Sequence, residues 1–358
     1  MSSCASVMGL STLPEGFITV FSALEGLLES EVYVDNAASP FSALLKAPDT
    51  NYLAGDAFNR QFISDVSTAL NFWDPLTPDN DDWSQVAADC HPNPYIRPYK
   101  RRRYTLNRTD WKSPSFPMAE GFVLEAVDLP LLRSKEYHNA NSLYDWASNY
   151  KNDDAFMANG VGFYVRTADT ITNWSLSDGH YKDKIAIGVI SKEEYRRKGL
   201  SIAAVAAVVQ ECFNRGFSSI DWLCVDFNQG SRAIAEKLGF CHVATYDAFT
   251  SYPPCENILD LSEADWLEWG AYFENVSPIE PRLLGEQLLA FAKGNAVEKA
   301  IRTILAIEEH KKDHDSSDFR WISKLPDYIA YFQTIGLSSD FSGREWKGFL
   351  EKHTLFPA

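Results

Sequence analysis

At 358 residues the chain exceeds one average domain, so two or three are expected. Hydrophobic residues at 45 % and charged residues at 23 % exclude a disordered chain. A formal charge of −16 argues against nucleic acid and anionic membranes as partners, since phosphates are held by an excess of Lys and Arg; it fits a soluble protein acting on a cationic amine. Residues 1–16 have neither a basic lead nor a long apolar core, so no signal peptide is expected, and no apolar run reaches the length of a membrane span. The first periodic segment is a helix over 15–28, with Phe17, Val20, Phe21, Leu24 and Leu27 on one side. Three short strand-like runs follow, Glu31–Asp35, Ser42–Leu45 and Asn51–Ala54, broken by Asn, Pro and Gly, and then a helix near Ala57–Leu70.

Residues 74–120 carry Pro75, Pro78, Pro92, Pro94, Pro98, Pro114 and Pro117 and read as loop-rich. Inside lies the basic run Lys100–Arg103. It reads either as a contact for phosphate or an acidic partner or, as favoured, as a solvated edge strand with positive gatekeepers. A domain boundary is expected near Ser113–Met118. Gly121–Val127 is a strand, Leu129–Tyr150 carries helical fragments, and Val161–Arg166 with Ile171–Leu176 forms a hairpin pair.

The chain is organised around residues 184–240. Lys184–Ile190 is a buried strand. A polar turn ending in Arg196, Arg197, Lys198 and Gly199 leads into a helix whose apolar stripe is Ile202, Val205, Ala206, Val209, Cys212 and Phe213. A second strand spans Ile220–Val225, and Asn228 caps a helix that Lys237-Leu238-Gly239 closes. The turn carries the chemistry. Glycine lets a ligand approach the backbone, and the first helical amides point outward as donors at the positive end of the helix dipole. With three cations beside them they suit a phosphate or pyrophosphate, although the same residues also make an ordinary helix start.

After Cys255 the chain turns helical. Trp266, Trp269 and Phe273 share a face, and Leu283–Lys293 and Ala296–His310 pair across Gly294-Asn295, with Leu288, Leu289, Phe291 and Ala292 facing Ala300, Ile301, Ile304 and Leu305. The aromatic stripes read as core, with a helical-repeat site for a protein partner as the other reading. Lys311–Asp318 is a charged loop, and the rest to Lys352 is helical, packed by Trp321, Tyr328, Tyr331, Phe332 and Trp346. The six cysteines, Cys4, Cys90, Cys212, Cys224, Cys241 and Cys255, form no CxxC pair, so no metal site is expected. Several lie in apolar runs as buried thiols, which suits a reducing cytoplasm.

Arg196-x-x-Gly199-x-Ser201 resembles the Q/R-x-x-G-x-G/A pyrophosphate turn of the GNAT superfamily of N-acetyltransferases. Asn228-x-x-Ser231 with Lys237–Phe240 resembles its closing segment. Further residues are similar to the pattern of a bacterial subgroup called the GNAT acetyltransferase family: Trp222-x-Cys224, Ala235–Phe240, Gly162-Phe163, Glu25-Gly26, Val32–Asp35 and Leu53–Asp56. The resemblance implies an α/β (α+β) acyl-CoA N-acyltransferase fold. It would be arranged as an N-terminal α/β domain (1–115, a degenerate copy of the same fold), an acetyltransferase domain (116–255) and an all-α C-terminal extension (256–358).

It further implies acetyl-CoA as co-substrate, no metal, and direct transfer to the amine of a small molecule in a ternary complex. The pantetheine would pair with the backbone of Ile187, Gly188 and Val189 where two strands splay apart, with Gly188 leaving room. The diphosphate would sit on Arg196, Arg197, Lys198, Gly199, Leu200, Ser201 and Ile202, and Asn228 and Ser231 would line the far side, Asn228 also capping its helix. The superfamily's usual base and acid positions are Ala186 and Ala235 here, so no catalytic residue is assigned. Asp183, His180, Ser175, Ser177, Cys224 and Asp226 are substitutes, each with a plain structural role available to it. The rival expectation is a CoA-binding module that has lost base and acid and works through a protein partner of its helical tail.

Overall fold

The computed structural model describes residues 17–253 and 261–310. The chain divides into two compact units, one ending at Ser251 and one beginning at Tyr252. The first unit is built on strands β1 (Glu31–Val34), β2 (Ser42–Lys46), β3 (Asn51–Gly55), β4 (Leu76–Pro78), β5 (Arg97–Asn107), β6 (Val123–Ala126), β7 (Gly162–Arg166), β8 (Ile171–Tyr181), β9 (Lys184–Ser191), β10 (Ser219–Val225) and β11 (Cys241–Thr250). Its helices are α1 (Ile18–Leu24), α2 (Arg60–Ala69), α3 (Asp81–Val86), α4 (Leu129–Ser134), α5 (Asn141–Ser148), α6 (Asp153–Asn159), α7 (Leu200–Asn214) and α8 (Gln229–Lys237). Short polar side chains start several of them: Asn59, Asn80, Asp128 and Asn152 each accept a first-turn amide, a cap worth about 1 kcal/mol.

All eleven strands form one sheet in the order β1-β2-β3-β4-β11-β5-β10-β9-β8-β7-β6. The sheet runs past residue 115 without a break, because β5, from before it, lies between β10 and β11, from after it. Alternation along the strands feeds two cores on opposite faces. Ile185, Ile187, Ile220 and Trp222 pack with Val205, Val209 and Phe213 of α7. Trp174 and Leu176 pack with Val20 of α1, Leu143 and Ala147 of α5 and Phe156 of α6.

The basic run corrects the expectation of a solvated edge. Lys100–Arg103 lies within β5, paired on both sides. Its charges are met by cross-strand acids: Lys100 by Asp247 at 2.6 Å, Arg102 by Asp226 and Arg103 by the buried Asp221 at 2.9 Å. Thr105 also donates to Asp221, at 2.7 Å. Nor is 74–120 all loop, since β4, α3 and β5 lie within it. Pro75, Pro78 and Pro98 sit at the borders of the two strands, whereas Pro92, Pro94, Pro114 and Pro117 lie in the loops between elements.

The second unit holds helices α9 (Glu263–Val276), α10 (Leu284–Lys293) and α11 (Val297–His310) in its described part. A capping box between Ser262 and Asp265 opens α9. Trp269 stacks on Phe273 at 5.5 Å, and Gly270 admits Phe291 of α10 so closely that a β-carbon there would lie 2.6 Å from the ring. The buried side of α11 is Ala300, Thr303, Ile304 and Ile307; Leu305 faces solvent, contrary to expectation, one residue round from the stripe. The expectations for residues 311–352 lie outside the described residues.

Candidate active site

The two edges of β9 are treated differently by the fold. Along one, β8 pairs antiparallel from Tyr181↔Lys184 to Asn173↔Ser191. Along the other, β10 pairs parallel only from Ser219↔Lys184 to Trp222↔Ile187. Beyond that point β10 follows β5 instead, with Leu223 opposite Arg103 and Val225 opposite Arg101. A wedge therefore opens between Gly188–Ser191 and Leu223–Val225. Main-chain groups on its β9 side have no strand beside them among the described residues, so they are available to an extended ligand.

At the open end of the wedge the chain turns into α7. Arg197 (φ 61°) and Gly199 (φ 77°) both adopt the left-handed conformation, which costs a non-glycine residue about 1–2 kcal/mol. Gly199 is the N-cap of the helix and offers no side chain, so no side-chain cap reaches the first-turn amides of Leu200, Ser201 and Ile202. The earliest helical bond runs from Ala203 N–H to the Gly199 carbonyl at 3.4 Å. Arg197, Lys198 and Gly199 are exposed, and the Lys198 ammonium lies 5.0 Å from the Tyr195 ring centroid. The Ser201 hydroxyl is committed inward: Asn173 Nδ2 donates to it at 2.8 Å, and it bonds the Ser191 hydroxyl. Those bonds pin the start of α7 to the ends of β8 and β9.

The far side of the wedge runs from β10 into α8. The Asn228 carboxamide oxygen accepts Ser231 N–H at 2.7 Å, and the indole N–H of buried Trp222 donates to the Ser231 hydroxyl at 2.9 Å. Both side chains thus have structural work. Cys224 is buried in the core, as a plain thiol would be. Ala186 and Ala235, the positions where a base and an acid would stand, are buried.

The opposite face of the sheet holds what the sequence did not reveal. A β-carbon on Gly188 would lie 2.8 Å from the Trp146 ring and 3.5 Å from Asp178 Oδ2. The space left by that glycine is therefore filled by an indole of the protein itself, while the strand's edge stays open. Trp146 Nε1 donates to Asp178 Oδ1 at 2.7 Å. Asp178 stands at a bulge in β8, between Ser177 and Gly179, which pair with Ile187 and Ala186. It borders a cavity of about 190 Å3 lined also by Thr19, Leu28, Pro48, Asp49, Trp146 and Asn149. Asp49 Oδ2 accepts the Tyr52 hydroxyl at 2.6 Å and the Thr19 hydroxyl at 3.2 Å. Burial pushes the Asp49 carboxyl above its ordinary range, although Tyr52, Arg101 and Thr19 each pull it down. The Asp178-Gly179 pair was the available signal, as a dipeptide that breaks a strand.

The remaining substitutes are otherwise engaged. Ser175 donates to the Gly188 carbonyl at 2.7 Å, Ser177 bonds Tyr150 at 2.8 Å, and Asp226 pairs with Arg102. Asp183 lies in the exposed turn after β8, held below the ordinary carboxylate range chiefly by the Ser218 hydroxyl. Burial pushes the His180 ring below its ordinary value, and it packs against Phe217 at 5.6 Å.

This geometry has counterparts. The family described as GNAT acetyltransferase matches residues 15–249. An uncharacterized N-acetyltransferase of Bacillus subtilis, YdfB, is 24 % identical over 243 residues, covering 65 % of this chain and 89 % of the relative. Among solved structures, a GCN5-related N-acetyltransferase-like protein from Streptococcus suis superposes with a TM-score of 0.54 at 24 % identity, over 67 % of this chain and 96 % of that one. No helix among the described residues is long and apolar enough to cross a membrane.

Proposed function

The chain belongs to the GNAT acetyltransferase family, whose members transfer acetyl groups from acetyl-CoA, and from that premise we propose that it acetylates the amino group of a small molecule by direct transfer in a ternary complex. The observation that carries this reading is the parting of β9 and β10 after Ile187 and Trp222, beside an α7 whose first amides no side chain caps. The diphosphate of acetyl-CoA sits on the turn from Arg196 to Ile202, where amide donors, the helix dipole and three cations act on one anion. The pantetheine runs along Ile187, Gly188 and Val189 and takes the hydrogen bonds that β10 gives up. Asn228 and Ser231 shape the far wall by holding α8 and Trp222 in place. The thioester then stands near Gly188, where the wedge narrows and Asp178 approaches from the other face.

Transfer requires a neutral amine, a stabilised tetrahedral oxyanion and departure of the CoA thiolate. A thiolate is a good leaving group, so the absence of an acid at Ala235 slows its departure without preventing it. The early part of the chain contributes Thr19, Leu28, Pro48 and Asp49 to the acceptor side, and no metal takes part. The protein acts in the cytoplasm.

The reading is tested by calorimetric titration with acetyl-CoA, followed by a thiol assay for CoA released with a panel of small amines. Saturable binding of one acetyl-CoA per chain with amine-dependent release of CoA is expected. Failure to bind acetyl-CoA overturns it.

A further inference from the structure

We propose that the indole of Trp146 sets the length of the acyl group, standing as a fixed wall that admits acetyl and turns away longer chains. This inference rests on the acetyl-CoA reading above and adds the residue that decides acyl specificity. The course of the ligand follows from the two faces of the wedge. Pairing of β9 with β10 stops at Ile187 and Trp222, so a pantetheine running down the open edge can go no further along the sheet. On the α7 face that end is closed by the buried Ile187, Trp222 and Cys224, with Val189 packed beside them. On the other face strand alternation brings up Gly188, Ile190 and Leu223, and Gly188 has no side chain. The acyl end therefore turns out of the sheet at Gly188.

What it meets there is Trp146 of α5. The benzene edge of the indole is the near side: Cη2 lies 2.8 Å, and Cζ2 3.0 Å, from where a β-carbon on Gly188 would stand. Not even a methyl group fits over Gly188, so the acyl chain has only the gap between the two strand edges. The ring is not free to swing aside. Its Nε1 donates to Asp178 Oδ1 at 2.7 Å, at the bulge of β8, and its body packs against the apolar cluster on this face. A side chain pinned at one end by a hydrogen bond and held along its length by packing keeps one rotamer. Behind the ring there is free space. Trp146 lines the cavity of about 190 Å3 together with Leu28 and Pro48, and Gly188 is not among that cavity's walls.

The indole thus has the acyl end on one side and unfilled volume on the other. Each methylene added to the acyl group must push the ring out of its packed position. Overfilling a packed site in this way lowers affinity by about tenfold. With the ring removed, the same methylenes enter the vacated space, where the burial of each contributes up to about fourfold. Trp146 decides specificity here because it touches the end of the acyl chain, and Asp178 is a positioning residue that acts through the indole.

The test is calorimetric titration of the full chain with CoA, acetyl-CoA, propionyl-CoA and butyryl-CoA, without an acceptor. The wild type should bind butyryl-CoA about tenfold or more weakly than acetyl-CoA. Trp146→Ala should bring the two level or reverse their order. Trp146→Phe keeps a ring in the core but one that ends short of Gly188, so it serves even if the alanine variant fails to fold. In it propionyl-CoA should reach the acetyl-CoA value while butyryl-CoA still lags. The ratio of butyryl-CoA to acetyl-CoA affinity is the reading, because a merely structural role for the indole would move both affinities together. Equal binding of the two by the wild type, or a ratio unmoved in the variants that fold, overturns the assignment and leaves the acetyl-CoA reading intact. Failure of the wild type to bind CoA or any of its thioesters overturns both.

Discussion

Two helices begin beside the wedge, and they begin differently. Helix α8 starts on Asn228, whose side chain closes the first turn by accepting Ser231 N–H. Helix α7 starts on Gly199, which has no side chain to offer, after Arg197 has already turned left-handed. Capping satisfies the amides of α8 internally, whereas the first amides of α7 are left for something outside the helix. On the proposed reading, one fold places two similar helix ends against one ligand and uses only one as an anion seat. Glycine at the first start answers a left-handed backbone and, in the proposed function, the approach of the ligand; asparagine at the second is a demand of the helix.

The largest expected effect breaks the open start. In Gly199→Trp the new β-carbon meets nothing of the protein within 4 Å, so the variant folds, at a left-handed backbone cost of about 1–2 kcal/mol. The ring, however, occupies the space over the first amides of α7. Acetyl-CoA affinity measured by calorimetry should fall by about a hundredfold, near 2.7 kcal/mol, the scale of losing several amide–phosphate contacts at once. An unchanged affinity would move the diphosphate elsewhere. Next comes the closed side. Ser231→Ala strips the buried Trp222 indole of its acceptor, at about 2 kcal/mol and hence a fall of roughly 4–8 °C in Tm for a unit of this size.

The contrast between the two starts was partly legible in the sequence. Gly199 after three cations, and Asn228 three residues before Ser231, were visible as motifs because local chemistry fixes them. The wedge itself was implied by resemblance and could not be read from residues 184–191, since parting is a property of two strands and their register. The basic run at 100–103 misled for a related reason. Its neutralising acids, Asp221, Asp226 and Asp247, lie more than a hundred residues away, so the sequence displays the charges without their partners. Asp178 and Asp49 were invisible as a pair because only the sheet brings the bulge of β8 near the turn after β2. The loop-rich reading of 74–120 holds where Pro92, Pro94, Pro114 and Pro117 lie in loops, and it missed β5 because Pro98 and a run of like charges at its start do not look like an internal strand.

The smallest effects sharpen the comparison furthest, because they separate capping from ligand contact at Asn228. Asn228→Ala removes the cap and should cost about 1 kcal/mol, a fall of roughly 2–4 °C in Tm, by uncovering the Ser231 amide. By itself that loss is silent about acetyl-CoA, since a frayed α8 could disturb the wedge indirectly. Asn228→Asp removes the ambiguity. Aspartate caps as well as asparagine does, and its charge favours the positive end of the helix, so the melting temperature should hold. A new anion at the rim of a site that takes a polyanionic ligand acts only through charge, and its effect shrinks as salt rises. Affinity for acetyl-CoA should fall about threefold to fivefold at low ionic strength, where coupling at the rim is about 1 kcal/mol or less, and recover toward the wild-type value at high salt. A threefold loss that salt does not relieve would instead place the Asn228 carboxamide in direct hydrogen-bond contact with the ligand, giving α8 a share in the site that its closed first turn does not suggest.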